Sequence, residues 1–317
     1  TVVVTDETVR DITVDLIYQA CDDKLCIFRD EQLLISLSGD SQEQQSEDLT
    51  ALTSESENKL KIQLKKPLSE IRVAVVTPTY SRLNFLQQAY RYFLAQDYPY
   101  PENLVWCVLD DSPQLPNSLF HISLKASSNV HYQHHSEKLL IGRKRNMLND
   151  MALDLGADII CAMDDDDWYS PSYVREMVEL LMASDYPLAG GSAIYYYIAS
   201  EDRIIHFDRP FGPYHSCNNL FSYKANLLNH TSYDDTKASG EEMAFTRRFK
   251  IPLVQHPKTS RVFLGLIHTN NVVSKDFIAQ NSKFSTDLQL EDFAMDSKAI
   301  DFLRSIGSAN SDQTSQV

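Results

Sequence analysis

The chain has 317 residues, of which 43% are hydrophobic, 10% aromatic and 23% charged. That is the composition of a globular protein able to bury a sizeable core, and it excludes a globally disordered chain. Lys and Arg total 29 against 44 Asp and Glu, for a formal charge of -15, so the long-range field repels phosphate backbones and anionic lipid. No nucleic-acid partner is expected.

No run approaches the roughly 20 apolar residues that a spanning helix needs, and the opening TVVVTDETVRD carries neither a basic segment nor a cleavage site. The expectation is a cytoplasmic protein with no integral membrane segment, its first residue, Thr1, being compatible with a processed start. The 5 cysteines are few and odd in number; Cys107, Cys161 and Cys217 sit in apolar or strand-like runs and are expected to be reduced core residues. Cys21 and Cys26 lack a second ligand pair nearby, which argues against a four-ligand metal site.

In chain order, residues 1–37 alternate short apolar runs with acidic turns and predict a small N-terminal appendage. Residues 38–66 include SGDSQEQQSEDLTALTSESEN and predict a polar acidic linker, too polar to repay its ordering entropy. Residues 67–285 have the regular pattern of one α/β domain, and residues 286–317 predict a helix over Leu290–Ile306 followed by a tail. Within the domain, Ile71–Val76 is a continuous β-branched run suited to a strand buried on both faces. Arg82–Gln96 has Leu86, Ala89, Tyr90, Phe93 and Leu94 at helical spacing. The strand Leu104–Leu109 ends at Asp110-Asp111-Ser112, a helix follows Gly142 and stops at Gly156, and the strand Asp158–Met163 ends at Asp164-Asp165-Asp166-Asp167. Ser170-Pro171 then opens a helix through Leu181. Strands are further expected at Cys217–Tyr223 and Arg261–Ile267. The alternation predicts a mostly parallel sheet covered on both faces.

Ligands bind beyond the carboxyl ends of the strands in such sheets. Here the polar clusters Thr77-Pro78-Thr79-Tyr80, Asp110-Asp111-Ser112 and Asp164–Asp167 all fall at strand ends. Four consecutive carboxylates in a confined site repel one another unless a positive group sits among them, and a hard divalent cation, Mn²⁺ or Mg²⁺, suits oxygen ligands and bridges to phosphates.

The ordered series VVTPTY, LVWCVLDDS, GRKRN, IICAMDDDDWYSP and GEE resembles the family 2 type of inverting glycosyltransferases, over about Ile71 to Asn271. The resemblance implies the GT-A fold, an α/β, Rossmann-like domain with a mostly parallel central sheet and helices on both faces. It also implies metal-dependent transfer of a sugar, with inversion, from a nucleotide-diphosphate sugar (a UDP-sugar favoured) to a hydroxyl of a glycan or glycoconjugate. Carried onto this sequence, Thr77 lies at the nucleotide edge, Asp111 accepts from the base, and Arg145-Asn146 serves the nucleotide or its phosphates, with Gly142 freeing the preceding turn. Arg143 and Lys144 are expected to be solvated. The Asp-x-Asp signature falls on Asp164 and Asp166: Asp166 is the metal ligand, Asp164 or Asp165 reaches the ribose or a metal-bound water, and Asp167 belongs to the helix start. His268 resembles the late histidine that completes the cation's shell. In Ser239-Gly240-Glu241-Glu242 the resemblance assigns the general base, with Glu242 the first choice and Glu241 the second. Trp168 is either an aromatic wall beside the sugar or packing, and Gly190–Asp208 with Pro210–His215 lies on the acceptor side. One alternative, a nucleotidyltransferase, would use the same cation, but no Gly-rich phosphate loop with an adjacent Lys follows the first strand; the other, a catalytically inactive carbohydrate-binding or scaffold module, is weighed against by the presence of both the Asp cluster and the Glu pair.

Overall fold

The structure, a computed structural model, describes residues 11–21, 26–36, 60–114, 119–207, 212–268 and 282–314. The linker expected over Ser38–Asn58 lies outside the described residues. In the N-terminal segment, β1 (Asp11–Cys21) pairs antiparallel with β2 (Cys26–Ser36).

Every residue of β3 (Val73–Thr79) is buried, as the unbroken β-branched run requires. Strand alternation sends Val73 and Val75 into one apolar cluster and Ala74 and Val76 into another, on opposite faces. Helix α1 (Leu83–Leu94) covers the first face with Leu86, Ala89 and Phe93. Then follow β4 (Leu104–Asp110), α2 (Leu119–Ala126), β5 (Val130–His134) and α3 (Ile141–Asp154), which seats Leu148 and Ala152 on the second face. After β6 (Ile159–Ala162) and the short β7 (Trp168–Tyr169), α4 (Tyr173–Met182) returns to the first face through Val174, Met177, Val178 and Leu181. The remaining elements are β8 (Leu188–Gly190), β9 (Ile194–Ile198), β10 (Arg203–Phe207), β11 (Ser222–Lys224), α5 (Glu242–Phe245), β12 (Leu253–Gln255), β13 (Phe263–Ile267) and α6 (Ser297–Thr314).

The central sheet runs β12-β8-β11-β6-β3-β4-β5. The pairs β6-β3, β3-β4, β4-β5 and β12-β8 are parallel, and β11 is antiparallel to both neighbours. A second sheet, β10-β9-β13-β7, stands at the side where the acidic loop emerges from β6. The mostly parallel sheet with helices on both faces is therefore present as expected.

Three stretches differ from expectation. Cys217–Tyr223 is not one strand: a 3-10 turn at Asn218–Leu220 precedes β11. Leu290–Ile306 is split, because a 3-10 turn at Leu290–Asp292 ends in extended backbone at Phe293. Helix α6 starts afresh behind Asp296, whose carboxylate accepts the Ala299 N–H at 2.7 Å. Residues 60–66, placed in the linker on their polarity, lie on the catalytic unit. The Ile62 N–H donates to the Asp185 carbonyl at 2.8 Å, the Ile62 carbonyl accepts from the buried Lys224 ammonium, and Leu60 and Ile62 pack on the second apolar face. Their apolar side chains alternate with lysines in KLKIQLKK, a period that average polarity conceals.

Candidate functional site

The loops leaving the carboxyl ends of β3 and β6, with the start of α3 and the segment before α5, enclose a cavity of about 460 Å³. Thr79, Tyr80 and Arg82 line it from the first loop, Asp164 to Asp167 from the second, Lys144 and Arg145 from α3, and Ser239 and Glu241 from the last.

Arg145 organises one wall. Its two terminal nitrogens donate to the two Asp164 oxygens at 3.0 Å each, and Nε donates to Glu241 at 2.9 Å. The Asn218 amide lies against the same guanidinium and against Tyr233. Burial would depress the Arg145 pKa, but Asp164 and Glu241 outweigh it and hold the group well above its ordinary value. The Arg is thus a permanent cation with three acceptors. Gly142, one turn earlier, serves a close approach rather than a turn: a Cβ there would lie 1.9 Å from the Asp234 carbonyl oxygen.

The acidic loop divides its work. Asp167 is buried and structural, accepting the Leu266 N–H of β13 at 2.8 Å and an Asn219 amide N–H; it ties the loop to the second sheet and does not start a helix. Asp165 accepts from the Thr79 hydroxyl at 2.7 Å and from Arg82 at 3.2 Å. Burial first, then the neighbouring Asp166 charge, push its carboxyl up, against Arg82 and Thr79. Asp166 accepts from the same Arg82 nitrogen at 2.7 Å and lies 3.2 Å from His268 Nε2.

The two expected metal residues, Asp166 and His268, therefore meet, although they are 102 positions apart. Among the described residues no group of three or more His, Cys, Asp or Glu is arranged to hold a metal by itself. One carboxylate and one imidazole would fit a divalent cation such as Mn²⁺ if phosphate oxygens and water supplied its other ligands.

Other expected residues land elsewhere. Thr77 is fully buried and does not line the cavity: its hydroxyl donates to the Met163 carbonyl at 2.6 Å and accepts from the Trp106 indole at 2.8 Å. Thr79, two residues on and on the same face of the strand, reaches Asp165. Asp111 is buried and outside the lining, with one oxygen held by Lys144 and the other by the Leu139 N–H at 2.7 Å. Lys144 is accordingly buried rather than solvated, whereas Arg143 is exposed beside Asp235. Asn146 binds the backbone of Tyr233 and the Asp235 carboxylate, so it holds the loop before α5 instead of facing the cavity. Trp168 is 2% exposed and packs edge-on against Phe293, which makes it packing. Of the acceptor-side stretch, residues 208–211 lie outside the described residues.

Glu241 faces the cavity and is committed to Arg145. The adjacent Glu242, the expected first choice of base, is not among the lining residues; its carboxyl is pushed up to about 7, by burial and then by the Glu241 charge. Thr79 and Tyr80, read in the sequence only as part of the cluster after the first strand, line the cavity, and so do Arg82 and Lys138, to which no site role was given; the Lys138 ammonium sits 4.3 Å over the Tyr80 ring. Arg82 lies two residues beyond that cluster, and its position just after the first buried strand was the available signal.

A model described as glycosyl transferase family 2 matches residues 74–240, just over half of the chain. No curated protein matches. By fold the chain is similar to S. aureus TarS residues 1–349 in complex with UDP-GlcNAc (15% identity, TM-score 0.50, covering 63% of this chain and 60% of that one). It is also similar to the mannosyltransferase PcManGT from Pyrobaculum calidifontis in complex with GDP-Man and Mn²⁺ (14% identity, TM-score 0.44, covering 68% and 62%). The chain spans about three-fifths of the TarS 1–349 chains it matches, and at these identities the likeness is one of fold.

Proposed function

The chain belongs to glycosyl transferase family 2, and from that premise we propose that it transfers a sugar from a nucleotide-diphosphate sugar, a UDP-sugar favoured, to a hydroxyl of a glycan or glycoconjugate, with inversion and with the help of Mn²⁺ or Mg²⁺. The observation that carries this reading is that Asp166, Arg145, Asp164 and Glu241 line one cavity at the carboxyl ends of the sheet, with Asp166 meeting the buried His268 behind it and Arg145 meeting both Asp164 and Glu241.

When bound at Asp166 and His268, the cation supplies charge balance for the leaving diphosphate. The rest is done by side chains of the chain. Tyr80 offers an aromatic face in the cavity wall, and Lys138 above it adds positive charge at the rim where an anionic donor enters. Arg145 fixes Asp164 in one orientation, and the lone pairs that Arg145 leaves free accept from a ribose hydroxyl. Glu242, in the position of the family's acidic pair that supplies the base, is the first choice of base, and a carboxyl pushed up to about 7 suits that role; Glu241, which lines the cavity, is the second. Glu241 is the ionic partner of Arg145 and, by its charge, raises Glu242. In a single displacement Glu242 accepts the acceptor hydroxyl's proton as the oxygen bonds to the anomeric carbon and the bond to the diphosphate breaks on the opposite face.

The test is transfer from a panel of UDP- and GDP-sugars with Mn²⁺, with the product anomer read by NMR. Inverted product supports the reading, and retained configuration removes the single displacement.

A further inference from the structure

Arg82 occupies a place that ordinary helix electrostatics disfavours. It directly precedes α1, where the helix macrodipole is positive and a cation is repelled. The chain is forced there: Ser81 adopts a left-handed φ of 52°, and its N–H donates to the Ser112 hydroxyl at 2.8 Å, closing the turn. One guanidinium nitrogen is thereby delivered between Asp165 and Asp166, at 3.2 and 2.7 Å, with the Arg82 side chain only 20% exposed. One turn further along α1, Phe85 lies under the guanidinium at 5.9 Å and stacks on His268 at 5.0 Å. A single helix end thus holds both residues of the proposed cation site, with an organic cation on the carboxylate that the metal would use.

Building on the metal-dependent reading above, we propose that Arg82 is a resident counter-ion that couples cation binding to nucleotide binding. Without substrate it bridges Asp165 and Asp166 and offsets their mutual repulsion at close range. A divalent cation that arrives alone must displace the guanidinium from Asp166, breaking that charge-assisted hydrogen bond, and place a second cation beside it. An incoming diphosphate changes that balance, because the displaced guanidinium lines the same cavity and meets a new anion there. Cation and diphosphate therefore assist each other, and by linkage the assistance is equal in both directions.

The test is Mn²⁺ binding followed by the loss of the free-ion EPR signal, with and without UDP or GDP, in the full chain and in Arg82→Met and Arg82→Gln. Both variants remove the charge while keeping similar bulk, so failure of one to fold leaves the other. In the unsubstituted chain, nucleotide is expected to tighten Mn²⁺ by a factor on the order of 5 to 150. In the variants Mn²⁺ alone is expected to bind more tightly, and the nucleotide-dependent gain to shrink. Unchanged Mn²⁺ affinity in the variants, or an undiminished gain, overturns the counter-ion role and leaves the metal reading standing. Nucleotide binding without Mn²⁺ binding in any of the proteins overturns the metal reading and the counter-ion role with it.

Discussion

Arg145 and Asp164 form a two-point fork, nitrogen to oxygen at 3.0 Å twice, with the Arg side chain 8% and the Asp side chain 19% exposed. The fork joins α3 to the loop after β6, and Nε carries it on to the segment that opens α5. One guanidinium therefore sets the spacing between the proposed donor carboxylates and the proposed base.

Removing it leaves two carboxylates facing one another with no cation between them. Arg145→Ala is expected to cost about 3 to 5 kcal/mol of stability, the usual penalty for breaking a buried pair. Arg145→Lys is expected to recover only part of this, because an ammonium cannot reproduce the fork together with the third bond. Urea unfolding of the three proteins checks the order.

The two adjacent glutamates are expected to separate in kinetics. Glu242→Gln keeps shape but cannot take the proton, so kcat is expected to fall by a factor on the order of 10² to 10⁴ with donor affinity retained. Glu241→Gln weakens the hold on Arg145, and its effect is expected mainly on donor KM. Steady-state kinetics with a fixed acceptor measure both, and the opposite pattern moves the base to Glu241.

The raised Glu242 carboxyl carries two consequences with pH. As a base it works ionised, so the rate is expected to rise with pH through about 7 and then level off. Its folded-state pKa lies above its ordinary value, so the folded state binds the proton more tightly. The stability this gives is full below the ordinary carboxylate range, falls as pH rises through about 7, and is absent above. Glu242→Gln is therefore expected to melt higher than the parent chain at about pH 8.5 and to lose that advantage near about pH 5. Melting curves at the two pH values check the sign.

The chain from Leu60 onward is expected to fold as one unit, whereas a chain beginning at Lys65 loses the Ile62 carbonyl over Lys224. That Lys is 1% exposed, and its ammonium otherwise keeps the Ser184 carbonyl at 2.6 Å. Loss of one buried partner is expected to cost about 1 to 3 kcal/mol, seen as a lower Tm in the shorter chain. Equal Tm values would place residues 60–64 outside the folded unit.

The sheet was legible because β3, β4 and β6 are buried on both faces and their sequences are unbroken apolar runs, each ended by polar residues. The meeting of Asp166 with His268, 102 positions apart, was legible only through family resemblance, whereas the contact of Arg145 with Glu241, 96 positions apart, was not foreseen, Arg145 having been assigned to the nucleotide or its phosphates. What escaped was pairing. Nothing in the local sequence says that Lys144 turns inward onto Asp111 while Arg143 stays out, or that Asp167 is spent on β13. Thr77 and Thr79 share a strand face by alternation, and only the length of β3 decides which of them emerges into the cavity. Arg82 was passed over because it looked like the first polar residue of an amphipathic helix.

The central claim is that the cavity binds a nucleoside diphosphate together with a divalent cation. The most direct measurement is a thermal-shift panel of UDP, GDP, dTDP and CMP with and without Mn²⁺, on the parent chain and on Asp166→Ala. At least one nucleoside diphosphate is expected to raise Tm in the presence of Mn²⁺, with CMP doing less, and Asp166→Ala is expected to fold but lose the Mn²⁺-dependent part of the shift. A parent chain whose Tm is moved by none of the nucleotides, or an Asp166→Ala protein with the full Mn²⁺-dependent shift, would contradict the claim.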